Sequence, residues 1–328
     1  MGYVTASTTF SAGAAILIYI YRQTKQTANI HKKSVVITGC DSGFGHATAL
    51  KLSDLGITVF AGCFTETGER VIKSKRPEYK NLITFRLDVT DDASVQNAKR
   101  LVCDELLKRN LELWAVINNA GISHTLAPDD FHILSDYQKV MDVNFFGPVR
   151  ITHAFKPQLK QSKGRLIFVT SIRSKVILAD APAYNASKHA LEAYADTLRR
   201  ELLPFGVTVH TILPGGFQTS LNDKDAQVFQ ERWNISDRWL REEYGEAWFQ
   251  DHLKRAKSIK SDLQAANISP VVNALTHATI KKYPKARYIV GNDSKFKYYP
   301  ISLLPFWIQD WYFGHLALQG QKPAKAVL

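Results

Sequence analysis

The run Ser34-Val-Val-Ile-Thr38 is short and apolar, and it opens directly into Gly39-Cys-Asp41-Ser42-Gly43-Phe44-Gly45. After the glycines comes the helix-like stretch His46-Ala-Thr-Ala-Leu-Lys-Leu-Ser-Asp-Leu55. A buried strand, a glycine turn and a helix start, in that order, make an anion site. Backbone N–H groups and the positive helix end face the anion, and glycine lets it approach closely. The spacing is Gly-x-x-x-Gly-x-Gly, not the commoner Gly-x-Gly-x-x-Gly. Three glycines alone also fit an ordinary left-handed turn and helix cap.

Downstream, strand-like and helix-like segments alternate. The strand-like runs are Thr58–Ala61, Leu82–Leu87, Leu113–Ile117, Leu166–Val169, Val207–Leu213 and Arg287–Val290, with amphipathic stretches at 92–109, 135–160 and 183–204. Such alternation predicts an α/β fold, a doubly wound parallel sheet covered by helices on both faces. Ligands on these sheets bind beyond the carboxyl ends of the strands. Gly39, Asp88, Asn118, Ser171 and Pro214 each fall at such an end and are expected to converge on one edge.

A second cluster carries proton chemistry. Tyr184 and Lys188 are one helical turn apart, and Tyr184 follows Ser171 by thirteen residues. Side chains at i and i+4 share a helix face, so the Lys188 ammonium can stabilise the phenolate of Tyr184. A free phenol titrates near pH 10 and is a poor base at neutral pH without such a neighbour. The trio alone also fits a plain helix face.

Taken together, these residues resemble the short-chain dehydrogenase/reductase family over about residues 34–291. The resemblance rests on Thr38-Gly39-x-x-x-Gly43-x-Gly45, Asp88-Val89, Asn118-Asn119-Ala120-Gly121, Asn144, Ser171, Tyr184-x-x-x-Lys188 and Pro214-Gly215-x-x-x-Thr219. The wording Thr-Gly-Cys-Asp-Ser-Gly-Phe-Gly, behind an N-terminal apolar segment, looks most like the membrane-associated retinol and hydroxysteroid dehydrogenase branch. The resemblance implies a Rossmann-like domain and hydride transfer between a nicotinamide cofactor and an alcohol or carbonyl. It implies Tyr184 as general acid/base, Lys188 as its modulator and ribose contact, Ser171 as holder of the substrate oxygen, and Asn144 in a proton relay through water. It also implies cofactor contacts from Thr38, Gly39, Asp41, Ser42, Gly43, Phe44, Gly45, Cys63, Asp88, Val89, Asn118, Ala120, Gly121, Pro214, Gly215 and Thr219. Asn119 reads as a residue that stabilises its loop.

Cofactor choice turns on the end of the second strand, where an acid takes a ribose 2′-hydroxyl and a base accommodates a 2′-phosphate. The stretch Gly62-Cys63-Phe64-Thr65-Glu66 has no acid at its first positions and no Arg or Lys before Arg70. Ser42 leaves the glycine loop without a cation as well. A phosphate carries roughly two charges that need pairing, so NAD is expected, with NADP not excluded.

At 328 residues and 45% hydrophobic content, the chain can bury one large core. Cys40, Cys63 and Cys103 lack metal-ligand spacing, so no metal is expected, and free thiols suggest a reducing compartment. Asn-x-Ser sequons start at Asn185, Asn234 and Asn292. The first lies between Tyr184 and Lys188, where a glycan would block the site.

The ends of the chain read differently from its middle. Residues 10–21 are apolar, short for a membrane span although residues 3–21 together could reach across, with Arg22, Lys25, Lys32 and Lys33 behind them and no charge in front, unlike a cleaved secretory signal. A membrane anchor over residues 1–30 is expected ahead of an ordinary docking helix, the basic flank keeping the catalytic domain on the cytosolic side, as at the endoplasmic reticulum. The dehydrogenase domain then spans residues 31–292, and an aromatic, basic tail spans 293–328. Residues 254–297 hold ten Lys or Arg against Asp262 and Asp293, which accounts for much of the net charge of +12. With the aromatic segment 298–313 beside them, these cations suit an anionic lipid surface, or the tail packs on its own core or a homodimer partner. No nucleic-acid-binding module accompanies the charge.

Between Thr219 and the helix-like Pro270–Leu275 lie about fifty residues, too many for a simple connection. This segment, 219–269, is expected to form a lid over a small apolar alcohol or ketone such as a steroid, sterol or retinoid. Its Phe229, Trp233, Trp239, Tyr244, Trp248 and Phe249 either face the substrate or fill the lid's own core. Two alternatives stand beside this reading. A hydroxy-acid dehydrogenase would draw on Arg173 and Lys175 for a cationic pocket, and a catalytically silent nucleotide-binding module would bind without turnover.

Overall fold

A computed structural model describes residue 21 and residues 25–123, 125–217, 225–262, 267–316 and 324–325. Seven strands build one sheet: β1 (Lys33–Thr38), β2 (Thr58–Cys63), β3 (Leu82–Arg86), β4 (Glu112–Asn118), β5 (Arg165–Val169), β6 (Thr208–Pro214) and β7 (Arg287–Val290). All neighbours are parallel and the order is β3-β2-β1-β4-β5-β6-β7. The order reverses between β1 and β4, and an open α/β sheet binds its ligand at that switch point.

Six long helices cover the faces. On one side, α1 (Gly43–Asp54) and α2 (Glu66–Ser74) pack through Ala49, Leu52 and Ile72 against Val35, Ile37, Val59 and Ala61. On the other, α3 (Asp92–Arg109), α5 (Gly147–Ser162) and α6 (Pro182–Glu201) pack through Val102, Phe155 and Leu191 against Val36, Phe60 and Phe168. Alternate strand residues thus serve opposite cores, which is why β1 reads as a continuous apolar run. The Asp91 carboxylate caps α3 by accepting from the amides of Ala93 and Ser94, and Asn110 ends it in a left-handed conformation.

The amphipathic stretch 135–160 is not one helix. It divides into α4 (Leu134–Met141) and α5, joined by a π-helical turn over Asp142–Phe146. At Gly147 a β-carbon would lie 2.7 Å from Val89 Cγ2, so glycine lets the chain pass close to the loop after β3. Such π turns commonly serve functional sites, and this one carries Asn144.

Beyond β6 the insertion forms α7 (Asp225–Ile235), α8 (Arg238–Tyr244) and α9 (Glu246–Asp262), and α10 (Ser269–Ile280) returns to the first face of the sheet. The C-terminus of α10 is held by Arg165, a cation at the start of buried β5. Its guanidinium donates to the carbonyls of Ala278 at 2.6 Å, Thr279 at 2.8 Å and Lys281 at 2.6 Å. Helix-end carbonyls lack partners within the helix and carry partial negative charge, so the cation satisfies both demands. Two short helices, α11 (Tyr299–Ser302) and α12 (Phe306–Asp310), follow β7.

No helix among the described residues is long and apolar enough to cross a membrane. The expected anchor falls almost wholly outside the described residues, as does Thr219. Among the described residues no cluster of His, Cys, Asp and Glu is arranged to hold a metal ion. Asn185 is buried and its amide donates to the Leu178 carbonyl at 2.7 Å, so the folded chain offers no glycan acceptor there.

Candidate active site

The glycine loop and the loop after β4 form one unit. Gly39 and Gly43 adopt φ of 70° and 60°, which favours glycine. A β-carbon on Gly39 would sit 2.8 Å from Ala120 Cα, and one on Gly45 2.4 Å from the Gly39 carbonyl oxygen. Thr38 Oγ1 accepts from the amides of Asn119 at 3.1 Å and Ala120 at 3.0 Å. In return Asn119 Nδ2 donates to the carbonyls of Thr38 at 2.9 Å and Gly39 at 3.0 Å. The amino end of α1, at Ser42, Gly43, Phe44 and Gly45, therefore opens beside Ala120 and Gly121 at the switch point.

Asp41 reaches sideways from this loop. Its carboxylate accepts from the amide of Phe64 at 2.7 Å and from the amide and hydroxyl of Thr65 at 2.8 and 2.7 Å. An acid is thus present past the second strand, delivered by the glycine loop. Cys63, by contrast, does not offer its side chain to the cleft: the thiol is buried in the core, and burial with nearby Asp41 pushes it up to about 12. Alternation along β2 turns that side chain into the sheet's covered face.

Asp88 Oδ1 accepts from the Thr90 amide at 2.9 Å and hydroxyl at 2.7 Å, which fixes the loop after β3, and Val89 packs against Gly147. Asn118 ends β4 and is buried with both atoms of its amide group lacking a hydrogen-bond partner. Leaving a buried polar group unsatisfied costs roughly 1–3 kcal/mol, so a polar ligand fits this place. The glycine cradle, the helix end and this amide together fit a dinucleotide.

Across the switch point stand the residues expected to handle protons. Ser171 lies just past β5, and its hydroxyl accepts from the Arg173 amide at 3.2 Å. On α6 the Lys188 Nζ lies 5.6 Å from the centre of the Tyr184 ring. The same ammonium donates to the Val169 carbonyl at 3.1 Å and is buried, which pulls its pKa down to about 8. A β-carbon on Gly121 would come within 3.4 Å of Lys188 Nζ and 3.3 Å of Asn144 Oδ1. The loop after β4, the end of β5 and one face of α6 therefore meet at Lys188.

Asn144 ties these parts together. Its Nδ2 donates to the Ile122 carbonyl at 2.9 Å and to Ser187 Oγ at 3.0 Å, while its Oδ1 accepts from the Ile122 amide at 2.8 Å. Ser187 in turn donates to the Tyr184 carbonyl at 2.8 Å. Both side-chain N–H groups of Asn144 are committed to these partners, so any contact it makes with a relay water falls to its carbonyl oxygens.

Ser187, Asp293 and Phe217 escaped sequence reasoning. Ser187 sits inside the Tyr-x-x-x-Lys spacing, and only its contact with Asn144 singles it out. Asp293 accepts from the Gly216 amide at 2.8 Å and fills the space beside Gly215, so the loop after Pro214 is held from beyond β7. Phe217 packs edge-on against Phe44, 5.8 Å between ring centres, linking that loop to the glycine loop.

The lid aromatics mostly face one another. Phe229, Trp233 and Phe249 are buried with Ala127, Phe131, Leu240 and Leu253, and Tyr244 and Trp248 pack onto this cluster. Trp233 stacks on Phe249 at 4.4 Å. Trp239 is exposed. These side chains form the lid's own core and dock it on the segment around Phe131.

A doubly wound sheet with a dinucleotide cradle at its switch point, and a Tyr184–Lys188 pair held against the strand end that leads to Ser171, fits a nicotinamide-dependent oxidoreductase scaffold. Residues 33–228 match the short chain dehydrogenase family. The chain is 39% identical over 290 residues to the 3beta-hydroxysteroid dehydrogenase dhs-16 of Caenorhabditis elegans, covering 87% of this chain and 75% of that protein. It is 36% identical over 300 residues to retinol dehydrogenase 16 of Homo sapiens, covering 91% and 93%. A short-chain dehydrogenase from Streptomyces avermitilis has the same fold, with a TM-score of 0.67 at 20% identity over 90% of this chain and 100% of that one. The chain belongs to the short chain dehydrogenase family. It is an NAD(P)-dependent alcohol dehydrogenase/reductase.

Proposed function

We propose that the protein interconverts an apolar alcohol and its carbonyl compound, of steroid, sterol or retinoid type, with NAD preferred over NADP. The observation that carries the reading is the meeting of Tyr184 and Lys188 with the Asn118–Gly121 loop and the end of β5, where Ser171 follows two residues after the Val169 carbonyl that Lys188 holds. The nicotinamide, when bound, supplies or accepts the hydride, and the protein's part is orientation and proton handling.

Tyr184 gives a proton to the substrate oxygen during reduction and takes it back during oxidation. With a pKa of about 8, Lys188 stays mostly protonated at pH 7 and favours the phenolate that this exchange requires. Ser171 holds the substrate oxygen. Asn144 is a positioning residue that joins Ile122 to Ser187 and so fixes the loop and helix flanking the reaction.

Preference for NAD is supported by Asp41. A carboxylate at Phe64 and Thr65 occupies the region past β2 where a 2′-phosphate would lie, and like charges there disfavour it. The apolar substrate is supported by the hydroxysteroid and retinol dehydrogenases that the chain resembles. A hydroxy-acid reading is weakened because Lys175, one of its two candidate cations, pairs with Glu192 at 3.4 Å. The N-terminal apolar segment is taken to hold the protein on the endoplasmic reticulum membrane, with the catalytic domain facing the cytosol.

Turnover of a panel of steroids, retinol and 3-hydroxybutyrate, each with NAD and NADP, tests the assignment. Oxidation of 3-hydroxybutyrate alone would transfer it to the hydroxy-acid class, and absence of turnover would leave a binding module. Tyr184→Phe is expected to abolish turnover and leave cofactor binding intact; unchanged activity would remove its assigned role.

A further inference from the structure

Past β7 the chain is fixed to the fold at Asp293 and by buried Ser294, and then presents an apolar surface. Phe296 is 79% exposed, Leu303 70%, Phe306 78%, Trp307 72% and Trp311 54%. Lys295 and Lys297 stand exposed among them, and Asp310 is the one acid within residues 294–316. A soluble surface rarely shows so many large apolar side chains close together in the chain.

The place of this segment in the fold matters. Asp293 holds Gly216 at the carboxyl edge of the sheet, beside the active-site cleft. The N-terminal segment joins the opposite edge, where Thr27 donates to the Ile280 carbonyl at 2.7 Å and Lys282 to the Lys25 carbonyl at 2.9 Å. The aromatic segment therefore lies apart from the point where the N-terminal segment enters the domain. The next described residues, Ala324 and Lys325, pair with Tyr244 and Glu243 at the end of α8.

We infer that Phe296, Leu303, Phe306, Trp307 and Trp311, with Lys295 and Lys297, form a face that rests on an anionic lipid bilayer beside the mouth of the active-site cleft. Aromatic side chains prefer the boundary between headgroups and acyl chains, and lysines flanking them are attracted to anionic headgroups. A second copy of the chain is a poorer occupant. A twofold contact sets a patch against itself, so the four lysines of two copies would share one interface with only Asp310 from each copy to offset them. The inference concerns where the domain touches lipid and stands apart from the substrate assignment.

The test uses the full-length protein with phosphatidylcholine vesicles, with and without phosphatidylserine, whose acyl chains carry bromine as a quencher of indole fluorescence. The wild-type emission is expected to fall on brominated vesicles, and most of that loss should vanish in Trp307→Phe/Trp311→Phe. Because the difference between the two proteins is local to two of the six indoles, it does not depend on what else holds the chain to the vesicle. Equal quenching of the two proteins, or none in either, would overturn the inference. So would disulfide cross-linking of Trp307→Cys between copies in the absence of lipid. Lys295→Gln/Lys297→Gln is expected to erase the difference between neutral and anionic vesicles; a persisting difference would refute the part assigned to charge.

Discussion

The carboxylate of Asp41, in the glycine loop, accepts from both the amide and the hydroxyl of Thr65, the residue that caps α2. One acidic side chain thereby joins the anion-binding loop to the end of β2, the two places where this fold recognises the adenosine half of a dinucleotide. Asp41→Asn keeps an acceptor for Thr65 and removes the charge. The ratio of kcat/KM for NAD to that for NADP is expected to fall by about tenfold, the worth of roughly 1.4 kcal/mol. An unchanged ratio would show that selectivity lies elsewhere.

Lys188 makes stability depend on alkaline pH. Burial lowers its pKa from 10.5 to about 8, so between those values the unfolded chain binds more protons than the folded one. Stability therefore rises with pH across that window, by up to about 3 kcal/mol. Urea unfolding of wild type and Lys188→Met from pH 7.5 to 10.5 measures it: the variant is expected to lose this rise along with its turnover. Parallel curves for the two proteins would contradict the cause.

His210 sets an acid limit. It is buried on β6, its Nδ1–H donating to the Lys285 carbonyl at 2.7 Å and its Nε2 accepting from the Thr208 hydroxyl at 2.8 Å, and burial holds its pKa down at about 4. The unfolded chain takes up a proton below pH 6.5 that the folded chain refuses until about 4. Stability is lost as pH falls through that window, by about 3 kcal/mol. His210→Gln is expected to flatten the acid limb of stability against pH, measured by thermal unfolding between pH 7 and 4. An unaltered limb would assign the loss to other groups.

The lid has its own core, so it is expected to loosen independently of the sheet. Trp233→Ala removes a buried ring from the cluster around Phe131, and such truncations cost about 3–5 kcal/mol. Limited proteolysis should then cut within residues 225–262 first, with KM for the proposed apolar substrate raised and cofactor affinity nearly unchanged. Global unfolding of the variant at the same rate as lid cleavage would show that lid and sheet form one cooperative unit.

Much of the architecture was legible because burial on both faces forces a strand to be apolar throughout. The six strands downstream of β1 fell within two residues of their expected ends, and the run 92–109 matched α3. The division of 135–160 was not legible, since a π turn adds one residue without breaking the apolar pattern, and the close approach of Gly147 to Val89 is a contact across the fold. Arg165 reads as a flaw in an apolar run until the carbonyls at the end of α10 are seen around it.

Spacing along the chain determined the covalent order of the site: which glycines start a helix, and which tyrosine and lysine share a helical face. Those are properties of one segment and its backbone period. Tertiary structure alone decided that Asp41 serves the turn after β2, that Ser187 and Asn144 join across the cleft, and that the lid's aromatic rings turn toward one another. The first two pairings join residues more than twenty positions apart and the lid's rings come from separate helices, so the direction a side chain takes there is settled by packing and hydrogen bonding between elements, which no local pattern encodes.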